Sequence, residues 1–178
     1  MDHPDDSIWH QSADSWLQTV EQDIASVTPP HLSGLGTAEQ FFLSNIRLWW
    51  HNDSACARVL VRNGFTAAGL SSSHHTNFTQ FLGVLSAAGQ PLPMIHFAPQ
   101  ADVSSDEARL LSVMALSQQG HNGHAIMVLK LWLPPTAYRV VLKNVVAFAA
   151  ALAAEGMLLP QRLNVRAGSR SGPRFLIH

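Results

Sequence analysis

Apolar residues along this chain recur mainly at intervals of three and four positions, which is the spacing of one face of an α-helix. The first such segment carries a single apolar stripe: Ala13, Trp16, Leu17, Val20, Ile24 and Val27. Alternation of apolar and polar residues, typical of a half-buried strand, extends over no more than a few positions. The pattern predicts helices at about 7–27, 37–51, 55–61, 76–88, 105–119, 121–133 and 135–155.

Two of these helices begin with a recognisable capping pattern. Thr37 is followed by Gln40 three positions later, and Ser104 is followed by Glu107. In a capping box the first side chain accepts a hydrogen bond from the backbone three residues on, and the second reaches back. The spacing therefore predicts capped starts at Thr37 and Ser104.

Other residues predict breaks between helices. Asn63-Gly64 is a typical helix end, with one more turn over 65–70 as the alternative, and the serine-rich residues 71–75 predict a polar loop. Three prolines between 91 and 99 predict an extended or irregular connection, because proline cannot join a central strand.

The chain has 178 residues, a length that favours one domain with a sizeable core. We predict an all-α fold over 1–160, an irregular bundle of six or seven helices with a proline-rich extended connector. Residues 161–178 contain four arginines and no acid, and glycines and a proline interrupt any helix. We expect them to form a basic, mobile C-terminal tail.

Charge is both scarce and unevenly distributed. Only 13% of the residues are charged and 47% are hydrophobic, against about 25% charged in an average soluble domain. Residues 1–53 hold eight acidic side chains against Arg47 alone, whereas residues 54–178 hold four acidic and ten basic side chains. We expect the acidic segment to dock on the remainder, in the same chain or in a neighbour, and the low charge favours a homo-oligomer or another protein partner.

The segment 37–51 is the richest in aromatic residues, with apolar side chains on more than one helix face. Its two aromatic pairs predict an interface or ligand groove formed by Phe41, Phe42, Trp49 and Trp50. A central helix buried on all sides would have the same composition, so both interpretations stay open. A small-ligand pocket between helices is a further alternative.

Ten histidines suggest metal binding as an alternative function. His121 and His124 have a spacing that places two imidazoles on one side of a helical turn, and His74 and His75 could add ligands for Zn, Ni or Cu. The chain has no CxxC and no HExxH motif. A solvated turn or helix cap is the favoured explanation of His121 and His124, so we predict no cofactor and keep a divalent metal as the alternative.

Common catalytic signatures are missing from the sequence. There is no GxSxG and no GxxxxGK[ST], and the single Cys56 lies between alanines, as a small buried hydrophobe would. The arginines of the tail lack interleaved aromatics, so nucleic-acid binding is not expected. The start of the chain is acidic and the apolar stretch 140–159 contains Lys143, Asn144 and Glu155, so we expect a cytoplasmic protein with a buried helix there and no membrane span.

These observations favour a non-enzymatic helical interaction or assembly module. The aromatic segment 37–51 is the predicted self-association surface, and a homodimer is the expected form.

Overall fold

A computed structural model describes residues 31–52 and 54–161 of the chain. The described residues form six α-helices and no strand, which confirms the all-α prediction. The helices are α1 (Thr37–His51), α2 (Ala55–Ala67), α3 (Ser72–Ala88), α4 (Ser105–Gln118), α5 (Asn122–Leu129) and α6 (Pro135–Ala154). The predicted helix 7–27 and nearly all of the predicted tail 161–178 lie outside the described residues.

Helix α6 packs against α3, α4 and α5. It begins with Pro135, whose missing N–H is not needed in a first turn. Its buried stripe repeats every three or four residues, as the sequence predicts: Val141, Val145, Phe148, Ala149 and Leu152. By length and composition alone α6 could cross a membrane, but here its apolar stripe is covered by neighbouring helices.

Four phenylalanines from four helices form the aromatic centre of the core. The ring of Phe148 in α6 stacks on Phe65 of α2, with centroids 5.5 Å apart. Phe42 of α1 and Phe78 of α3 lie 6.2 and 5.4 Å from the same ring. This cluster joins the N-terminal helices to α6.

The start of α1 differs from the predicted capping box. Thr37 is the first helical residue and Gly36 is the N-cap, and the Gly36 N–H donates to Glu39 Oε2 at 2.8 Å. The Gln40 side chain instead donates to Leu35 O at 2.9 Å. The predicted box at Ser104 and Glu107 is confirmed, with both reciprocal hydrogen bonds present.

Two boundary predictions near the middle of the chain are wrong. Helix α2 continues past Gly64 to Ala67, because Val61 and Phe65 lie on one stripe and both are buried. Helix α3 begins at Ser72, so 71–75 is a helix start and not a loop. Its first turn is capped by His74, whose Nδ1 accepts the Ser71 N–H at 3.2 Å.

Candidate interaction surface

Two of the three buried charged residues of the described chain form one ion pair. Arg47 of α1 and Glu107 of α4 have side chains 1% and 0% exposed. Arg47 Nε donates to Glu107 Oε1 at 2.7 Å and Nη2 donates to Oε2 at 2.8 Å. This bidentate geometry matches the planar guanidinium to the carboxylate and satisfies both oxygens.

The same two side chains hold the residues between α3 and α4, which we name the connector (89–104). Arg47 also donates to the carbonyl oxygens of Gln100 and Asp102, at 2.6 and 2.7 Å. The Glu107 carboxylate accepts the backbone N–H of His96 at 3.1 Å and that of Ser104 at 2.8 Å. The ion pair therefore fixes four positions of the connector to α1 and α4.

The backbone of three successive connector residues, 94–96, is hydrogen-bonded to side chains of α1 and α4. The Met94 N–H donates to Asp106 Oδ2 at 2.7 Å. The carbonyl of Ile95 accepts from His51 Nε2 at 2.7 Å, so the proton of this imidazole lies on Nε2. With the His96 N–H bound to Glu107, this stretch keeps one extended conformation, as its prolines predict.

An extended chain turns successive side chains to opposite sides. Pro93 and Ile95 are buried accordingly, whereas Leu92 and Met94 face solvent. Phe97 is also exposed but departs from this alternation, and a turn follows it in which the Gln100 N–H donates to its carbonyl. The exposed set, which we name the apolar ridge, is Leu92, Met94 and Phe97, with 57%, 64% and 63% of their surfaces exposed. The Phe97 ring stacks on His51 with centroids 4.0 Å apart, so it is held in place while exposed.

A second surface feature lies at the C-terminal end of α1. Trp49 and Trp50 are half-buried and line an open groove of about 420 Å³. The rest of its lining is Asn52, then Ala57, Arg58 and Val61 of α2, and Ser86 of α3. We name it the tryptophan groove. Arg58 lies in its wall.

The four aromatic residues predicted for an interface therefore have different positions. Trp49 and Trp50 line the groove. Phe41 is half-buried and packs on Phe65, with centroids 5.6 Å apart. Phe42 is fully buried in the core, so its assignment to an interface or ligand groove is corrected. Sequence periodicity could not separate these neighbours, because adjacent helical residues lie only about 100° apart.

The four histidines predicted as metal ligands lie at the starts of two helices, α3 and α5. The rings of His121 and His124 have centroids 6.0 Å apart at the start of α5. His74 caps α3, and His75 meets the Phe65 ring edge-on at 5.3 Å. Residues 31–52 and 54–161 contain no group of three or more His, Cys, Asp or Glu side chains placed to hold a metal ion.

Two of these histidines have perturbed acidity. Burial lowers the pKa of His75 below its usual value, and the nearby Arg62 charge lowers it further. Burial also lowers the pKa of His124, with His121 adding to the effect. In both cases the neutral imidazole is favoured, because a desolvated cation is disfavoured.

The sequence indicates Glu107 only as a helix cap and does not predict the ridge. The ion pair joins residues 60 positions apart, and no local pattern connects them. The ridge has a weak signal, since Leu92 and Met94 alternate with Pro93 and Ile95, whereas Phe97 lies outside this alternation. Comparisons of the chain with models of protein families, with curated proteins and with solved structures found no match.

Proposed function

We propose that this protein is a non-enzymatic helical interaction module that pairs with a second copy of itself through the apolar ridge. The observation that carries the proposal is the rigid exposure of Leu92, Met94 and Phe97 on a connector fixed by a buried ion pair. Large apolar side chains concentrated on one exposed segment are typical of a protein-binding surface.

The buried ion pair supports this function through the conformation it imposes. Burying two charges is costly, and such a pair adds little stability compared with apolar residues of the same volume. In some proteins buried ionic groups are kept because they specify one conformation. Here that conformation is the extended connector. Because the binding segment is ordered before association, the free energy of dimerisation does not have to offset the entropy lost in ordering it.

Charge favours a second copy as the partner. Residues 63–101 contain no Asp, Glu, Lys or Arg, and the ridge lies within them. In a two-fold dimer the same patch lies on both sides of the contact. Asp106, which accepts the Met94 N–H, is itself paired with Arg109 at 2.7 Å. The charges beside the ridge therefore offset each other, and the patch can face itself without like-charge repulsion. The low total charge of the chain agrees with a covered surface.

Light scattering on the full chain tests the proposal. We expect a dimer at tens of micromolar for the natural sequence and a monomer for the Met94→Ser/Phe97→Ser variant. Loss of interface anchors worth 2 kcal/mol or more would weaken dimerisation at least about 30-fold. The matched control is Leu158→Ser, since Leu158 is 68% exposed and lies beyond α6.

Two results would contradict the proposal. One is a natural chain that remains monomeric at these concentrations. The other is a ridge variant that stays dimeric with an unchanged dissociation constant, which would locate the contact elsewhere. Circular dichroism of each variant confirms that the helices are retained.

A further inference from the structure

The tryptophan groove and the adjoining face of α2 combine apolar and basic groups. Trp49 and Trp50 line the groove, while Val59 and Leu60 are exposed on α2. Arg58 and Arg62 lie four positions apart on the same helix, and both are exposed. Residues 54–101 contain these two arginines and no acidic side chain. The surface therefore suits an occupant that is apolar on one side and acidic beside it.

The N-terminal part of the chain has the complementary composition. Residues 1–30 contain six acidic side chains and neither Lys nor Arg. Within them the pattern of 7–27 predicts a helix with one apolar stripe that includes Trp16, Leu17 and Val20. We propose that residues 7–27 of the same chain bind the tryptophan groove as an amphipathic helix. This proposal is independent of the function proposed for the ridge.

The described start of the chain lies within reach of the groove. Leu32 is fixed on both sides, since its N–H donates to Ala101 O at 2.7 Å and its carbonyl accepts from Gln40 Nε2 at 3.3 Å. From Gln40 to the tryptophans is about 14 Å along α1. The four steps from Val27 to His31 span at most about 14 Å, and a helix over 7–27 is about 31 Å long. The segment can thus reach the groove without moving the core.

Binding of an amphipathic helix in a groove is a recurring mode of recognition, with anchors at intervals of three, four and seven residues. In the predicted helix Trp16, Val20 and Ile24 have this spacing. Asp14 and Glu21 are seven positions apart and border one side of the stripe, from which they can approach Arg58 and Arg62. Attachment to the same chain gives the segment a millimolar effective concentration, on the order expected for a short linker, so modest affinity suffices.

Cys56 is exposed, contrary to the buried position that its flanking alanines suggest. It provides a natural probe, because it is the single cysteine and precedes the groove-lining Ala57. A nitroxide attached to Cys56 of the ¹⁵N-labelled full chain broadens amide signals near the groove. We expect the signals of residues 13–27 to be lost in the oxidised sample and recovered when the nitroxide is reduced. Unaffected signals for 13–27 would overturn the proposal.

A charge-reversal pair separates this binding from chance proximity. Arg58→Glu/Arg62→Glu should restore the signals of 13–27 in the oxidised sample. The matched control is Arg139→Glu/Lys143→Glu, two exposed basic residues with the same spacing on α6, for which the signals should stay lost. Signals that remain lost in both variants would overturn the electrostatic complementarity on which the proposal depends.

Mixing distinguishes the same chain from a second copy. In one sample, ¹⁵N-labelled chain without nitroxide is combined with unlabelled chain carrying nitroxide on Cys56. We expect much weaker loss of the signals of 13–27 in this sample than in the singly labelled one. Loss in the mixed sample as strong as in the singly labelled one would show exchange of segments between copies and would overturn binding within one chain.

Discussion

Arg47 and Glu107 are 60 positions apart in the chain and form a bidentate ion pair with both side chains buried. Four further hydrogen bonds link these two groups to Gln100, Asp102, His96 and Ser104. One pair thereby holds residues 96–104 of the connector against α1 and α4. The exposed ridge and the core are linked through it.

Removing one charge of this pair should destabilise the fold strongly. Glu107→Gln keeps the size of the side chain but leaves the Arg47 guanidinium buried without a counter-charge. We expect the free energy of unfolding to fall by about 3–5 kcal/mol, measured by urea denaturation. The exposed Glu155→Gln is the control and should change it by less than about 0.5 kcal/mol. A loss below 1 kcal/mol for Glu107→Gln would mean that the pair is not desolvated.

Three glycines allow backbone strain and steric clash to be separated. Gly69 and Gly120 have φ of +77° and +74°, a region that a side chain disfavours. A Cβ at Gly69 would lie 2.6 Å from Glu155 Oε2, whereas at Gly120 it would meet open space. We expect Gly120→Ala to cost about 1–2 kcal/mol of stability and Gly69→Ala more.

Gly123 provides the control for these substitutions, because it lies within α5 and an added Cβ there also meets open space. Gly123→Ala should stabilise the protein by about 0.5–1 kcal/mol, since alanine favours a helix. Thermal unfolding of the three variants measures the order. Equal effects at Gly69 and Gly120 would show that the Glu155 side chain moves aside.

Much of the fold could be predicted from local pattern. The stripe of α6 and the capping box of Ser104 and Glu107 are local features, and the structure confirms both. Asn63-Gly64 predicts an end of α2 that is too early in the chain. The helix continues to Ala67 because burial of Phe65 in the core outweighs the helix-breaking tendency of these two residues. Here tertiary packing overrides propensity.

The candidate surface was less predictable, for a physical reason. The concentration of aromatic residues in 37–51 indicates Trp49 and Trp50 as surface candidates. It indicates Phe42 equally, although Phe42 is buried in the core. The role of Arg47 depends on a carboxylate three helices away along the chain. Only the folded arrangement brings those groups together, so sequence alone could not assign the connector its conformation.

Stability should decrease below neutral pH through His75 and His124. Burial is the larger cause of the lowered pKa in each folded-state imidazole, while the unfolded chain keeps the ordinary value of about 6.5. Between the lowered pKa and 6.5 the unfolded state binds more protons, so the free energy of unfolding falls as pH falls through this range. Above about 6.5 the contribution is fully present.

Urea denaturation at pH 7.5 and 5.0 measures this dependence. His75→Gln/His124→Gln should reduce the loss of stability on acidification, because the variant has no imidazole to protonate at these positions. The exposed His31→Gln serves as control and should leave the loss unchanged. An identical pH dependence in all three proteins would contradict the role of His75 and His124.

Replacing both members of the ion pair should separate stability from connector order. In Arg47→Met/Glu107→Leu neither member of the pair leaves an unpaired charge, so we expect this variant to regain most of the stability lost in Glu107→Gln.

The same double variant lacks the hydrogen bond from the His96 N–H and those to the carbonyls of Gln100 and Asp102. Amide hydrogen exchange should therefore become faster at His96 while it stays slow in α6. Light scattering of the same variant should show weaker dimerisation, because the ridge is no longer held in one conformation. Unchanged exchange at His96 would show that the ion pair does not determine the shape of the connector.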